Sequence, residues 1–144
     1  MENLRKTDPE FMERFEHFAF EEVPNEAGQQ LDEETRHMAI LTTLLGCQGT
    51  DAYQVMLPKA LDAGLSPVQV KEIVYQAFDY LGMGRVWPFL EITNNIFEQR
   101  GVALPLPSQA TTTMGDRLEK GAQAQAEIFG EHMKEAWKAG HGPV

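Results

Sequence analysis

The segment Ser66-Pro67-Val68-Gln69 constrains this chain more than any other. A serine at a helix N-cap accepts a hydrogen bond from the N3 backbone N–H, and a glutamine at N3 reaches back to the N-cap N–H. Proline at the first helical position lacks only an N–H that would have no partner there, and its φ is already helical. Val70, Ile73, Val74, Ala77, Phe78 and Leu81 follow at offsets of three and four, which draws one apolar face along a helix. Gly82 and Gly84 break it. A helix with such a face is stable only when other elements cover that face.

The rest of the chain offers helices as cover. Asp8-Pro9-Glu10 reads as a cap, a first-turn proline and a first-turn acid. With Phe11, Phe15, Phe18 and Phe20 it predicts a short helix over about residues 9–20. Pro24 and Gly28 mark a loop. Asp32 caps a second helix whose first-turn acids, Glu33 and Glu34, suit the helix dipole. Its apolar stripe is Met38, Leu41, Leu44 and Leu45, and Gly46 ends it. Thr50-Asp51 caps a third helix, carrying Val55, Leu57, Ala60 and Leu61, kinked or restarted at Pro58 and stopped by Gly64. A fifth, over roughly 85–100, carries Val86, Leu90, Ile96 and Phe97. Residues 102–115, with Pro105, Pro107 and Thr111-Thr112-Thr113, read as a linker or arm. A last helix is expected over 116–139, followed by a frayed Gly140-His141-Gly142-Pro143. No segment alternates with the period of a strand. The expectation is therefore an all-α bundle of about six helices, packed as antiparallel neighbours. It has a core domain over 1–101, the arm, and a C-terminal helix over 116–144.

Charge narrows the partners. The chain has 144 residues with 22 acidic and 12 basic side chains, a net charge of −10. Nucleic acid and anionic membrane surfaces are disfavoured, because both demand a basic footprint. The stretches of apolar sequence fall short of a membrane span. Met1–Lys6 runs into polar sequence without the apolar stretch of a signal peptide. Cys47 is the one cysteine, so no intrachain disulfide forms, and a reducing, cytoplasmic setting is expected.

Leu31-Asp32-x-x-Thr35-Arg36, Ala60-Leu61-Asp62-Ala63-Gly64-Leu65-Ser66-Pro67-x-x-Val70-Lys71-Glu72, Ile73-Val74-Tyr75-Gln76-Ala77, Tyr80-Leu81-Gly82 and Pro88-x-Leu90 together resemble the carboxymuconolactone decarboxylase-like group, which has the alkylhydroperoxidase D-like fold. The resemblance spans about half the chain and rests mostly on structural positions. It implies an all-helical, obligately oligomeric subunit, commonly a trimer or hexamer, that acts on a small molecule without a cofactor. One branch decarboxylates ring lactones of aromatic catabolism, a carbon–carbon lyase reaction. The other reduces peroxides with a glutamate on the second helix, a Cys-x-x-Cys and a following histidine. Aligned without gaps, those positions fall at His37, Gly49, Ala52 and Met56, so this chain lacks the thiol relay. Arg117-Leu118-Glu119-Lys120-Gly121 and Ile128-Phe129-Gly130-Glu131 resemble the opening helix of a stand-alone decarboxylase subunit. That order suggests either the start of a second repeat or a permuted arrangement.

Three residues are candidates for chemistry. His37 stands at the family's acidic position with Glu33 and Glu34 one turn before it, and can serve as a general base; the alternative is a surface or satisfied histidine beside a solvated acidic turn. Asp51 is a second proton-transfer candidate. Cys47 is a candidate one-cysteine peroxidase thiol near a helix N-terminus; the alternative is a small buried apolar residue. For substrate binding, Arg85 follows Gly82 and Gly84 at a helix start and suits a carboxylate, the alternative being a capping or interface arginine. Tyr53, Met56, Tyr80 and Trp87 are the expected pocket walls, next to Gln48 and Thr50. The phenylalanine stripe 11/15/18 reads as core or subunit interface, and the acids around His132 as a solvated face, so no metal is expected. A non-catalytic assembly subunit with the same fold is the alternative to an enzyme.

Overall fold

A computed structural model describes residues 2–140, which form two compact units, one ending at Leu106 and the other beginning at Pro107. All regular structure among the described residues is helical.

The first unit opens with α1 (Glu2–Thr7) and α2 (Pro9–His17). α1 was not expected, because Glu2-Asn3-Leu4-Arg5-Lys6-Thr7 carries no apolar period. Asp8 lies between them, yet its carboxylate caps nothing; it accepts from the Thr7 hydroxyl. The chain then winds on through a wide π-turn, Phe18–Glu22, and a 3₁₀ turn, Val23–Asn25. Lys59 places its ammonium 4.2 Å above the Phe20 ring and so ties this segment to the bundle.

Four helices build the core: α3 (Glu33–Gly46), α4 (Thr50–Asp62), α5 (Pro67–Leu81) and α6 (Met83–Gln99). α3 packs on α4 and α5, and α6 packs on the same two, so the four close a ring. Inside the ring lie Leu41 and Leu45 of α3, Tyr53 and Leu57 of α4, Val70 and Val74 of α5, and Val86, Phe89 and Phe97 of α6. Each large apolar side chain withdrawn from water contributes roughly 1.5–3 kcal/mol before chain entropy is counted. The Ser66 capping box forms in full, with Gln69 N–H donating to Ser66 Oγ at 3.2 Å and Ser66 N–H to Gln69 Oε1 at 2.8 Å.

Several boundaries differ from the sequence expectation. α4 continues through Pro58 from Thr50 to Asp62 without a restart, and its N-cap is Gly49 rather than Thr50. Gly82 alone separates α5 from α6, at φ +76° and ψ 159°, a conformation open to glycine and strained for other residues. Gly84 is inside α6. Val102, Leu104 and Leu106 pack against the core, so the first residues of the expected arm belong to the first unit.

The second unit contains α7 (Arg117–Phe129) and α8 (His132–Lys138) where one helix was expected. Gly130 takes φ +106° and gives its N–H to Ala126, which ends α7. Asp116 accepts from Thr113 N–H and pairs with Lys120 at 2.9 Å; the Lys120 ammonium, first, and the Thr113 donors hold its carboxyl below the usual range. Lys120 also donates to the Thr111 carbonyl at 2.7 Å, which anchors the threonine run to the helix start. Of the end expected to fray, residues 141–143 lie outside the described residues.

Candidate functional site

The Asp32 cap sets the position of His37. Asp32 Oδ1 accepts from Thr35 N–H at 2.8 Å and Oδ2 from the Thr35 hydroxyl at 3.0 Å, and these bonds, the backbone one first, lower its pKa. One turn later His37 lies on the same stripe as Leu41 and Leu45, at intervals of four, and is only 9% exposed. Its Nδ1 is 2.8 Å from the Glu33 backbone oxygen. A carbonyl only accepts, so Nδ1 carries the proton and Nε2 is the free basic nitrogen of the neutral ring. The Glu33 carboxylate stands 3.8 Å from Nδ1. His37 is therefore buried rather than on the surface, and its Nδ1 is satisfied by a carbonyl of its own helix, as the satisfied-histidine alternative expects.

The α3–α4 turn places Cys47. Its side chain is exposed, against the expectation of a small buried residue. The turn explains this: Cys47 is the C-cap of α3, past the last residue of the buried stripe. A side chain at Gly49 would begin 3.4 Å from Cys47 Sγ, so the sulfur lies beside the family's first thiol position although it belongs to an earlier residue. Sγ is 3.6 Å from the Leu44 carbonyl, an acceptor suited to the protonated thiol. Asp51 is exposed in the first turn of α4.

Tyr53 and Met56, expected as pocket walls, are core residues. Tyr53 is 0% exposed, its hydroxyl is 2.9 Å from Thr93 Oγ1, and its ring meets Phe89 edge-on at 5.0 Å. Burial pushes its phenol up to about 12. Met56 is buried in the same cluster. Both face inward because they share the inner side of α4 with Leu57 and Ala60. Arg85, Tyr80 and Trp87 are exposed around the α5–α6 junction.

Clefts on the first unit include three along the core helices. One of about 450 Å³ lies between α3 and α5, with Met38, Thr42, Ile73, Ala77 and Tyr80 among its walls. One of about 460 Å³ is acidic, with Asp32, Glu33 and Glu34 around Met38 and Ala63. The smallest, about 240 Å³, runs along α6 with Gln54, Asn95 and Glu98. Tyr80 thus reaches the first cleft, and Met38, the neighbour of His37, borders two. None of these three clefts is lined by His37, Cys47, Asp51 or Arg85.

Two polar residues inside the bundle were missed by the sequence reading. Thr93 occupies the stripe Val86, Phe89, Thr93, Phe97, and that spacing was its available signal. Lys71 is buried next to Val70, with nothing in the pattern to separate it from a solvated lysine.

Comparison with known proteins adds one finding. No curated protein matches the chain, and no solved structure does. The model of the Carboxymuconolactone decarboxylase family matches residues 9–95, from the start of α2 into α6. That match covers more than half the sequence and agrees with the all-helical ring: the chain belongs to the carboxymuconolactone decarboxylase family.

Proposed function

We propose that this protein converts a small organic acid or lactone by a decarboxylase-type, carbon–carbon lyase reaction, with His37 as the proton-transfer group. The observation that carries this reading is the bond from His37 Nδ1 to the Glu33 carbonyl, which leaves Nε2 as a defined base. Loss of CO₂ breaks the bond between a carbon and its carboxylate. The bonding pair stays in the substrate's conjugated system, and one proton must arrive at carbon. His37 takes that proton from solvent at Nε2, delivers it to the carbon and returns to the neutral ring. Arg85 holds the carboxylate, Tyr80 and Trp87 cover the apolar part, and Asp51 is the second candidate for moving a proton. No metal or cofactor enters this scheme. The exposed Phe11, Phe15, Phe18, Tyr80 and Trp87 support self-association, as a trimer or hexamer. A cytoplasmic location and the origin of the C-terminal unit in a second repeat belong to the same reading.

The test is turnover of a panel of lactones and unsaturated organic acids, with CO₂ release and oligomer size recorded together. His37→Ala is expected to lower kcat by roughly 10²–10⁴-fold, and Arg85→Ala to act mainly on KM. If the folded oligomer turns over nothing in the panel, the non-catalytic assembly reading replaces this one. If His37→Ala is as active as the parent, His37 has no role.

One observation favours a second reading, a one-cysteine peroxidase: the placement of Cys47 Sγ beside residue 49. The thiolate would attack a peroxide oxygen, forming the sulfenic acid and releasing an alcohol, and an external thiol would restore it. A Cys47 inert to hydroperoxide in the folded protein ends that reading.

A further inference from the structure

We propose that α7 is a self-association helix: two copies of this chain pair their α7 helices antiparallel along Leu118, Gly121, Gln125 and Ile128. These four follow at i, i+3, i+7 and i+10, the spacing of a seam between two helices. Leu118 is 82% exposed and Ile128 73%, so both ends of the seam are uncovered in the single chain. Among the described residues α7 and α8 bury one side chain, Ala126. A helix pair that thin has little core of its own and is stabilised by a further apolar surface.

A second α7 fits that need in shape, hydrogen bonding and charge. An antiparallel pair with its two-fold axis level with residue 123 sets Leu118 against Ile128 of the second copy and Gly121 against its Gln125, each contact occurring twice. The long carboxamide fills the space beside the glycine. A parallel pair would set glycine on glycine and leave a gap. Gln125 is half-buried, and its Oε1 has no hydrogen-bond partner. An enclosed oxygen without a donor is costly. Across the axis the two Gln125 residues are about one helical turn apart, where each carboxamide offers the other a donor. The unit beginning at Pro107 holds five acidic and four basic side chains, a net −1, which leaves −9 of the chain's −10 on the first unit. Pairing through α7 therefore joins the nearly neutral parts of two acidic chains. Arg117 forms no ion pair among the described residues. The antiparallel order carries it to the carboxyl end of the second α7, where the last helix carbonyls and Glu131 are negative. This interface rests neither on the decarboxylase reading nor on the aromatic residues of the first unit.

The experiment is oxidative crosslinking and sedimentation velocity of the full chain. The background is Cys47→Ser, which removes the one native thiol. Leu118→Cys combined with Ile128→Cys should give a covalent dimer on non-reducing electrophoresis after mild oxidation. The two sites are about 15 Å apart on one helix, too far to bridge within a chain. Each single cysteine should crosslink at least tenfold less, because the antiparallel order keeps like positions apart. Leu118→Glu should halve the assembled mass. Gly121→Leu separates pairing from helix stability. A Cβ there has open space around it in one chain, and leucine is the better helix former. Association should nevertheless weaken at least tenfold, because the leucine takes the place of Gln125 from the second copy. Far-UV circular dichroism verifies the fold of each variant. The proposal is overturned if the double-cysteine chain yields no covalent dimer, if either single cysteine crosslinks as well, or if folded Leu118→Glu or Gly121→Leu keeps the parent association. It is also overturned if the crosslink is lost in folded Phe15→Ser, which would place the contact in the first unit.

Discussion

Replacing Tyr53 with phenylalanine takes one oxygen out of the helix ring and strands another. Tyr53 and Thr93 are both 0% exposed, and their hydroxyls are 2.9 Å apart. The phenyl ring would still fit and keep its edge contact with Phe89. The loss is one hydrogen bond, about 1 kcal/mol net, plus up to about 1–3 kcal/mol for a buried hydroxyl left without a partner. Thr93 can turn its hydroxyl toward the backbone carbonyl one helical turn back, which offsets part of that second cost. The expected destabilisation is about 1.5 kcal/mol. Thr93→Val should cost a similar amount, and the double variant less than the sum, with a coupling of about 1 kcal/mol. A pH arm makes the prediction sharper. The folded phenol titrates at about 12 against an ordinary value of 10.0, because burial disfavours its charged form. The stability from this group is fully present below pH 10. It is lost as pH rises from 10 to about 12, where the unfolded chain has released the proton and the folded chain has not. Over that window the loss is about 3 kcal/mol. Urea unfolding followed by circular dichroism, at neutral pH and from roughly pH 9.5 to 11, compares parent with variant. The variant should be less stable at neutral pH and lose less stability at alkaline pH. Equal stability at neutral pH with identical alkaline slopes would refute the account. A variant of parental stability that binds ligand poorly would return Tyr53 to the binding site.

Two glycines close together in sequence should respond in opposite directions. A Cβ at Gly82 or Gly84 would have open space around it, so steric clash is removed from the comparison. Gly82→Ala should cost roughly 1–3 kcal/mol, because alanine is strained at φ +76° and ψ 159°. Gly84→Ala, within α6, should gain up to about 1 kcal/mol by helix propensity; thermal unfolding of both variants checks the signs. Ser66→Ala removes one acceptor of the capping box and should cost about 1 kcal/mol, measured by the midpoint of urea unfolding.

The legible parts of this fold were those where capping chemistry and apolar period coincide. Ser66, Pro67 and Gln69 start α5 and Asp32 starts α3, and each makes its capping bonds. α1 escaped because its six residues lack a buried face, and the α7–α8 break because Gly130 sits between two apolar helical stretches. Burial of His37 was written in the interval to Leu41 and Leu45 but masked by its acidic neighbours. Tyr53 shows the reverse. A polar aromatic residue early in a helix suggested a pocket wall, and only the spatial position of Thr93, forty residues away, reveals that its hydroxyl is satisfied inside. Lys71 needed tertiary structure for the same reason: its partner Asn94 is on another helix.

The single-residue junction at Gly82 also bears on how quickly the ring can assemble. Among the four helix pairings that close it, α5 with α6 spans the shortest connection, so its chain-closure entropy is the smallest. Contacts between neighbours in sequence form early, whereas α3 with α5 and α4 with α6 must wait for an intervening helix to be placed. The α5–α6 hairpin is the natural nucleus. Loss of the Ser66 cap should accordingly show itself as slower folding more than as faster unfolding. In this chain the one conformation that requires glycine is also what makes the first productive encounter short.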